Sequence, residues 1–134
     1  MDSAKELMKY RIAQAKECLE SAIREENSGS YKTAANRSYY CIFHAMRAIL
    51  ALEKFDSKKH SGVISAFRER YIKTGILDMN LSKIIGKAFE VRTDSDYEDF
   101  YVVSQIQITE QIENAKLFLD AIEAYIESHH LTED

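Results

Sequence analysis

The sequence predicts an all-α fold: an antiparallel up-and-down bundle of four to five helices, three of them long and two short. Three observations predict it. The 134 residues include no proline and only four glycines, so the turn residues that a β-sandwich or barrel needs at short intervals are missing. Apolar residues recur at alternating steps of three and four, which holds one seam of a helix against a neighbour. Breaks in this pattern coincide with short polar or glycine-containing stretches. One domain over residues 1–134 is expected at this length, and such a chain buries roughly two-thirds of its unfolded surface without needing metal or disulfide staples.

The elements follow in order. A first helix over about residues 3–26 carries Met8, Ile12, Ala15, Leu19, Ala22 and Ile23 on one seam. Asn27-Ser28-Gly29-Ser30 ends it and offers a serine as N-cap for the second helix, about 30–53. That helix has Tyr31, Ala35, Ser38, Ile42, Ala45, Ile49 and Leu52 on one line, and Tyr39, Phe43, Met46 and Leu50 on another. A helix apolar on two faces is a central one. Phe55 to Lys59 separates it from a short third helix near 60–73, with Gly75 suited to the position just past its end. The fourth helix starts near Asp78 or Asn80 and runs through Ile84, Ile85, Ala88 and Phe89 to Val91. Arg92-Thr93-Asp94-Ser95-Asp96-Tyr97 loses the apolar period and is expected to be a connection. Ser104 then opens the fifth helix, with Gln107 completing a capping box and Ile108, Ile112, Ala115, Leu119, Ile122 and Ile126 forming the seam.

Several function classes are set aside. No apolar run approaches the roughly 18 residues of a membrane span. The N-terminal segment is charged and amphipathic rather than signal-like, so a cytoplasmic protein is expected. Cys18 and Cys41 lack metal-type spacing and sit inside helical patterns, the setting of buried free thiols in a reducing compartment. There is no P-loop, dinucleotide-binding glycine motif or nucleophile elbow. No cofactor and no metal are expected.

Net charge is −4, but it is unevenly spread. Residues 30–93 carry 12 basic and 5 acidic side chains, whereas residues 94–134 carry one basic side chain, Lys116, and 11 acidic ones. Either the basic middle seats an anionic ligand, or it is neutralised by the acidic last helix packed beside it.

Three constellations stand out. Arg37 and His44, seven residues apart, project from one face of the second helix together with Tyr40 and Arg47. Such a row suits an anion or phosphodiester, with the histidine as acid or base; it is equally a solvated stripe with His44 bonded to a neighbouring helix. Arg92, with Asp94, Asp96 and Tyr97, forms either an internal ion pair under a phenol or a cation beside a general base. Glu127-x-x-His130 has the spacing of di-iron bundle ligands, but no second such pair exists in the chain, and a frayed tail accounts for it.

Three blocks carry a resemblance. They are Ala34 to Leu50, with its Asn36-Arg37-Ser38-Tyr39-Tyr40-Cys41-Ile42-Phe43-His44 core, then His60-Ser61-Gly62-Val63-Ile64, then Arg92-Thr93-Asp94-Ser95-Asp96-Tyr97. In this order, over roughly residues 5–127, they resemble the HEPN domain family, in particular its small stand-alone branch that partners MNT-type nucleotidyltransferases. The resemblance implies a helical bundle, a homodimer, and the toxin role in a HEPN/MNT toxin–antitoxin pair. It also implies a link to metal-independent ribonucleases, which use an arginine followed four to six residues later by histidine. There the arginine stabilises the phosphorane and the histidine carries the proton of the ribose 2′-hydroxyl.

This chain departs from that motif by placing Tyr97 where the histidine is expected after Arg92, and a phenol with pKa about 10 is a poor base at neutral pH. Arg37 and His44 meet the spacing, but on the second helix. Three functions are therefore expected as alternatives. The first is a dimeric toxin-type module that binds RNA, a nucleotide or a nucleotidyltransferase partner through Arg37, Tyr40, Arg47 and Arg92, with Tyr97 as a position the partner modifies. The second is a metal-independent endoribonuclease using Arg92, Asp96 and Tyr97, or Arg37 and His44. The third is a structural helical adaptor without ligand.

Overall fold

The computed structural model describes residues 3–97 and 101–129. Five α-helices run in the order α1 (Ser3–Asn27), α2 (Tyr31–Ala51), α3 (His60–Phe67), α4 (Asn80–Tyr97) and α5 (Gln105–Ser128), and a π-helical turn, Arg68–Ile72, continues α3. Among the described residues there is no strand, and no helix is long and apolar enough to cross a membrane.

The α1–α2 break closes as the residues dictate. Gly29 takes φ +81°, and Ser30 N–H and Gly29 N–H donate to the carbonyls of Glu25 and Glu26 at 2.8 and 3.1 Å. This is a Schellman closure, and it needs a residue at ease in the left-handed region. Ser30 does occupy the N-cap of α2, although its hydroxyl makes no capping bond. The short turn makes α1 and α2 antiparallel, so Arg11 reaches Arg47 while Cys18 faces Arg37.

Helix α2 is the centre of the bundle and packs against α1, α3, α4 and α5. Both of its apolar lines are buried, from Ala35, Ile42 and Ile49 on one to Tyr39, Phe43, Met46 and Leu50 on the other. From α5, the buried Gln111 donates to Ser38 Oγ at 2.9 Å, while Ser38 Oγ donates to Ala35 O at 3.0 Å. The capping box is present: Gln107 N–H donates to Ser104 Oγ at 3.1 Å and Ser104 N–H to Gln107 Oε1 at 3.0 Å. Cys18 and Cys41 are free and buried, and burial pushes the Cys41 thiol up to about 12.

Two boundaries differ from the sequence reading. Helix α4 does not stop at Val91 but continues through Tyr97. The buried residues Ile84, Ala88, Val91 and Ser95 keep the three-four step across the supposed connection. The seam went unseen because its last buried position is a serine. The third helix, expected to be uniform over 60–73, changes to π geometry at Arg68, where Lys73 N–H donates to Arg68 O at 2.8 Å. Gly62 in α3 is required by close approach: a Cβ there would stand 2.4 Å from Ser57 Oγ in the α2–α3 loop.

Candidate functional site

Helices α2, α3 and α4 meet in a cluster of rings. Tyr39, Tyr40 and Phe43 come from successive turns of α2, His60 from the first residue of α3, and Phe89 from α4. The imidazole of His60 lies 4.1 Å, centroid to centroid, from Phe43, and Tyr40 packs edge-on to Tyr39 at 5.2 Å. Phe89 closes the group at 6.1 Å from Tyr39. The Tyr39 hydroxyl and His60 Nδ1 share a hydrogen bond of 2.9 Å, which fixes the imidazole against the ring floor.

Three guanidinium groups lie over these rings. Arg92 of α4 sits 5.0 Å from the Tyr39 centroid and 5.4 Å from that of Tyr40. Arg37 lies 5.5 Å from Tyr40, and Arg47 lies 5.9 Å from Phe43. Aromatic faces attract cations without neutralising them, so this arrangement concentrates positive charge, although Arg37 already donates to Asn36 Oδ1 and Arg47 to both oxygens of Asp56. Arg92 Nε approaches Asp96 Oδ2 at 3.3 Å, one helical turn on, yet makes no well-aligned hydrogen bond. The contact positions the side chain and leaves donors unused.

Asp56, in the α2–α3 loop, anchors the other end. Its carboxylate receives Arg47 Nη2 at 3.3 Å on both oxygens and Arg11 Nη2 at 3.1 Å. Arg11, only 6% exposed, also donates to the Arg47 carbonyl at 3.1 Å. Partial burial alone would raise the Asp56 pKa. The Ser57 N–H and the two arginines outweigh it and hold the carboxyl below its usual range.

Three titratable neighbours respond to burial and to this charge. Burial, then Arg47, Arg37, Arg11 and His60, depress His44 to about 4, and its buried Nδ1 has no hydrogen-bond partner. Burial, then Arg92 and Arg47, also depress His60. Both depressions favour uncharged imidazole at neutral pH. Burial raises Tyr39 to about 12 against the pull of Arg92, so its phenol stays protonated. Burial and the hydrogen bond to Glu53 raise Tyr71 as well, outside the cluster.

Of the sequence-predicted residues, the structure brings Arg92, Asp96, Tyr40, Arg37 and Arg47 around one ring cluster. Tyr40 is the hinge of the group, within reach of both Arg37 and Arg92. Arg37 also bonds Asn36 Oδ1 at 2.9 Å and, with His44, lines a separate cleft of about 280 Å³ on the α1 side. Tyr97 is not brought to Arg92. Five residues along an α-helix rotate it about 140° away, and it is 77% exposed at the end of α4. Asp94 is half-buried on the same helix.

His60, Tyr39 and Phe43 were missed as site residues. Tyr39 and Phe43 had been assigned to an apolar seam, and only the His60-Ser61-Gly62 block carried any signal. Among the described residues, no ion pair joins the basic middle segment to α5; Glu123 of α5 pairs with Lys16 of α1 at 3.0 Å. No group of three or more His, Cys, Asp or Glu among them could hold a metal ion. The Glu127-x-x-His130 spacing cannot be followed, because His130 lies outside the described residues.

The chain matches the HEPN domain family over residues 8–125. A UPF0332 protein of Thermotoga maritima is 33% identical over 127 residues, covering 95% of this chain and 96% of the relative. A Methanocaldococcus jannaschii protein named "Putative toxin" is 31% identical over 120 residues, 90% of this chain and 82% of the relative. A UPF0332 protein of Archaeoglobus fulgidus is 31% identical over 112 residues, 84% and 89% respectively.

Proposed function

The chain belongs to the HEPN domain family, and on that premise we propose that it is the toxin-type member of a HEPN/MNT toxin–antitoxin pair. In this reading it forms a homodimer, binds RNA or a nucleotide through Arg92, Arg37, Arg47 and Tyr40, and is restrained by a small MNT-type nucleotidyltransferase. The observation that carries it is the seat of Arg92: a guanidinium over two tyrosine rings, beside one loosely aligned carboxylate, with an uncharged imidazole in the same cluster. That is the environment a phosphodiester needs, because donors aimed at an anion inside an apolar setting act more strongly than in water. The name of the Methanocaldococcus relative supports the toxin role.

Tyr97 supports the partner's part. Its phenol is exposed at the end of α4, and Val102 and Ile106 nearby in sequence are 80% and 81% exposed. An accessible hydroxyl, with uncovered apolar side chains a few residues further along the chain, suits a docking surface where a partner transfers a nucleotide to Tyr97. Expression of this chain alone is expected to arrest growth, and co-expression with an MNT-type nucleotidyltransferase partner to relieve it. Intact mass spectrometry of the co-expressed protein is expected to show one added nucleotide that is missing from Tyr97→Phe. Growth unaffected by the chain alone, with no complex on gel filtration, defeats the proposal.

The His60–Arg92 proximity favours a second reading, a metal-independent endoribonuclease. Arg92 would steady the charge of the phosphorane while a neutral imidazole, His60 or His44, takes the 2′-hydroxyl proton. RNA cleavage that persists in EDTA and vanishes in Arg92→Ala is the required result; intact RNA at high protein concentration removes this reading. If the chain is only a structural adaptor, Arg37→Ala and Arg92→Ala lower the melting temperature and change no binding.

A further inference from the structure

A cavity of about 630 Å³ opens between α3 with its π turn on one side and α4 on the other. It adjoins the ring cluster, because His60 and Phe89 line it as well. Its size falls within the range of small-molecule sites. Ile64, Ile85 and Phe89 give it apolar walls, while the hydroxyls of Ser61 and Ser65 supply polar edges.

The local structure keeps this space open. Gly86 of α4 faces it, where a Cβ would meet only Arg68 Nη2, at 3.6 Å, an ordinary contact. Glycine inside a helix is destabilising relative to alanine, and here no crowding demands it. What the glycine preserves is volume. Arg68, the first residue of the π turn, is tied to Ser82 by bonds of 2.9 Å to Oγ and 3.1 Å to the carbonyl, so its guanidinium is held in one place. Single π turns within helices recur at functional sites. Phe89 is 41% exposed and lines the cavity.

We propose that this cavity receives one unpaired base of an RNA chain whose phosphate lies on the Arg92 guanidinium beside the ring cluster. The inference rests on the RNA-binding reading above and extends it to the form of the substrate. A base presents a flat apolar face to Phe89 and His60 and a hydrogen-bonding edge to the serine hydroxyls, which is how single-stranded RNA is commonly held. The continuity through His60 joins base and phosphate sites in one path. A base paired within a duplex cannot enter, so single strands are selected.

The test uses fluorescence anisotropy with three probes: a ten-residue oligoadenylate, the same ribose-phosphate backbone without bases, and adenosine monophosphate as competitor. The wild-type protein is expected to bind oligoadenylate at least tenfold more tightly than the abasic strand. Gly86→Leu puts a side chain into the cavity while favouring the helix, so it is expected to keep the melting temperature. It should bind oligoadenylate five- to tenfold more weakly and the abasic strand unchanged. Ser65→Leu fills the same space from the exposed face of α3 and should give the same loss. Arg92→Ala should weaken both strands alike. Oligoadenylate binding unaltered in both cavity variants overturns this inference and leaves the RNA-binding reading intact. If wild type binds neither strand, the RNA-binding reading falls and takes this inference with it. Adenosine monophosphate competing as tightly as the oligonucleotide, in a Gly86-dependent way, overturns RNA as the occupant in favour of a free nucleotide.

Discussion

His44 shows how position changes what a residue type means. By spacing it is a candidate acid or base, but burial and three arginines hold its pKa at about 4, below the ordinary 6.5 or so. The folded state therefore prefers the neutral ring. Stability is fully present above about pH 6.5 and declines as pH falls toward 4, because over that interval the unfolded chain takes up a proton that the folded chain refuses. Discounted for partial exposure, this amounts to about 2 kcal/mol. Urea melts at pH 7 and pH 4.5 should show that loss in the wild-type protein and less than half of it in His44→Leu. His44→Leu should not be destabilised at pH 7, since the buried Nδ1 has no partner to lose. The companion change, Tyr39→Phe, removes the hydrogen bond to His60 and should shift the His60 ring resonances in an NMR spectrum while leaving the fold intact. Neither environment was legible in the sequence. Histidines at 44 and 60 are separated by a loop, and only folding brings both into the field of Arg47.

At the scale of elements, the sequence foretold most of the architecture, because helix seams and caps are local signals. The two apolar lines of α2 and the Ser104–Gln107 box appear where spacing put them. The failure was the end of α4. Apolar steps alone pass over Ser95, which is buried although its side chain is polar. Ser104→Ala should lower stability by about 1 kcal/mol through the lost cap, read as a lower urea midpoint. Gly62→Ala should cost about 1–3 kcal/mol, since the new methyl crowds Ser57 and displaces the hydroxyl that receives the Lys59 N–H at the start of α3. A melting curve for Gly62→Ala that overlays the wild type would contradict this account of the loop.

For the whole molecule, charge is the organising quantity. The basic middle of the chain could have been cancelled by acidic α5, yet the ion pairs that form among the described residues tie Arg47 to Asp56, Arg70 to Glu53 and Arg92 to Asp96. Glu123 of α5 turns to α1 instead. Arg47 and Arg92, over the rings, thus take their carboxylates from the α2–α3 loop and from α4 itself and not from α5. Half of the candidate site was legible: Arg37, Tyr40, Arg47 and Arg92 stand in motifs, whereas Tyr39, Phe43 and His60 acquire their role only through the packing of three helices. Three arginines meeting a single strand should give a salt dependence of log affinity with slope near −2, at about 0.7 per phosphate contacted. Light scattering at micromolar concentration should return the mass of two chains.

The most direct measurement compares two cations of the same helix. Arg92 lies over the tyrosine rings, whereas Lys87 is exposed on α4 outside the cluster. Fluorescence anisotropy with a labelled single-stranded RNA should show Arg92→Ala binding at least tenfold more weakly and Lys87→Ala within twofold of wild type, both variants keeping wild-type circular dichroism. Equal affinities for the two variants would mean that binding follows overall charge and not the seat of Arg92, and would contradict the account.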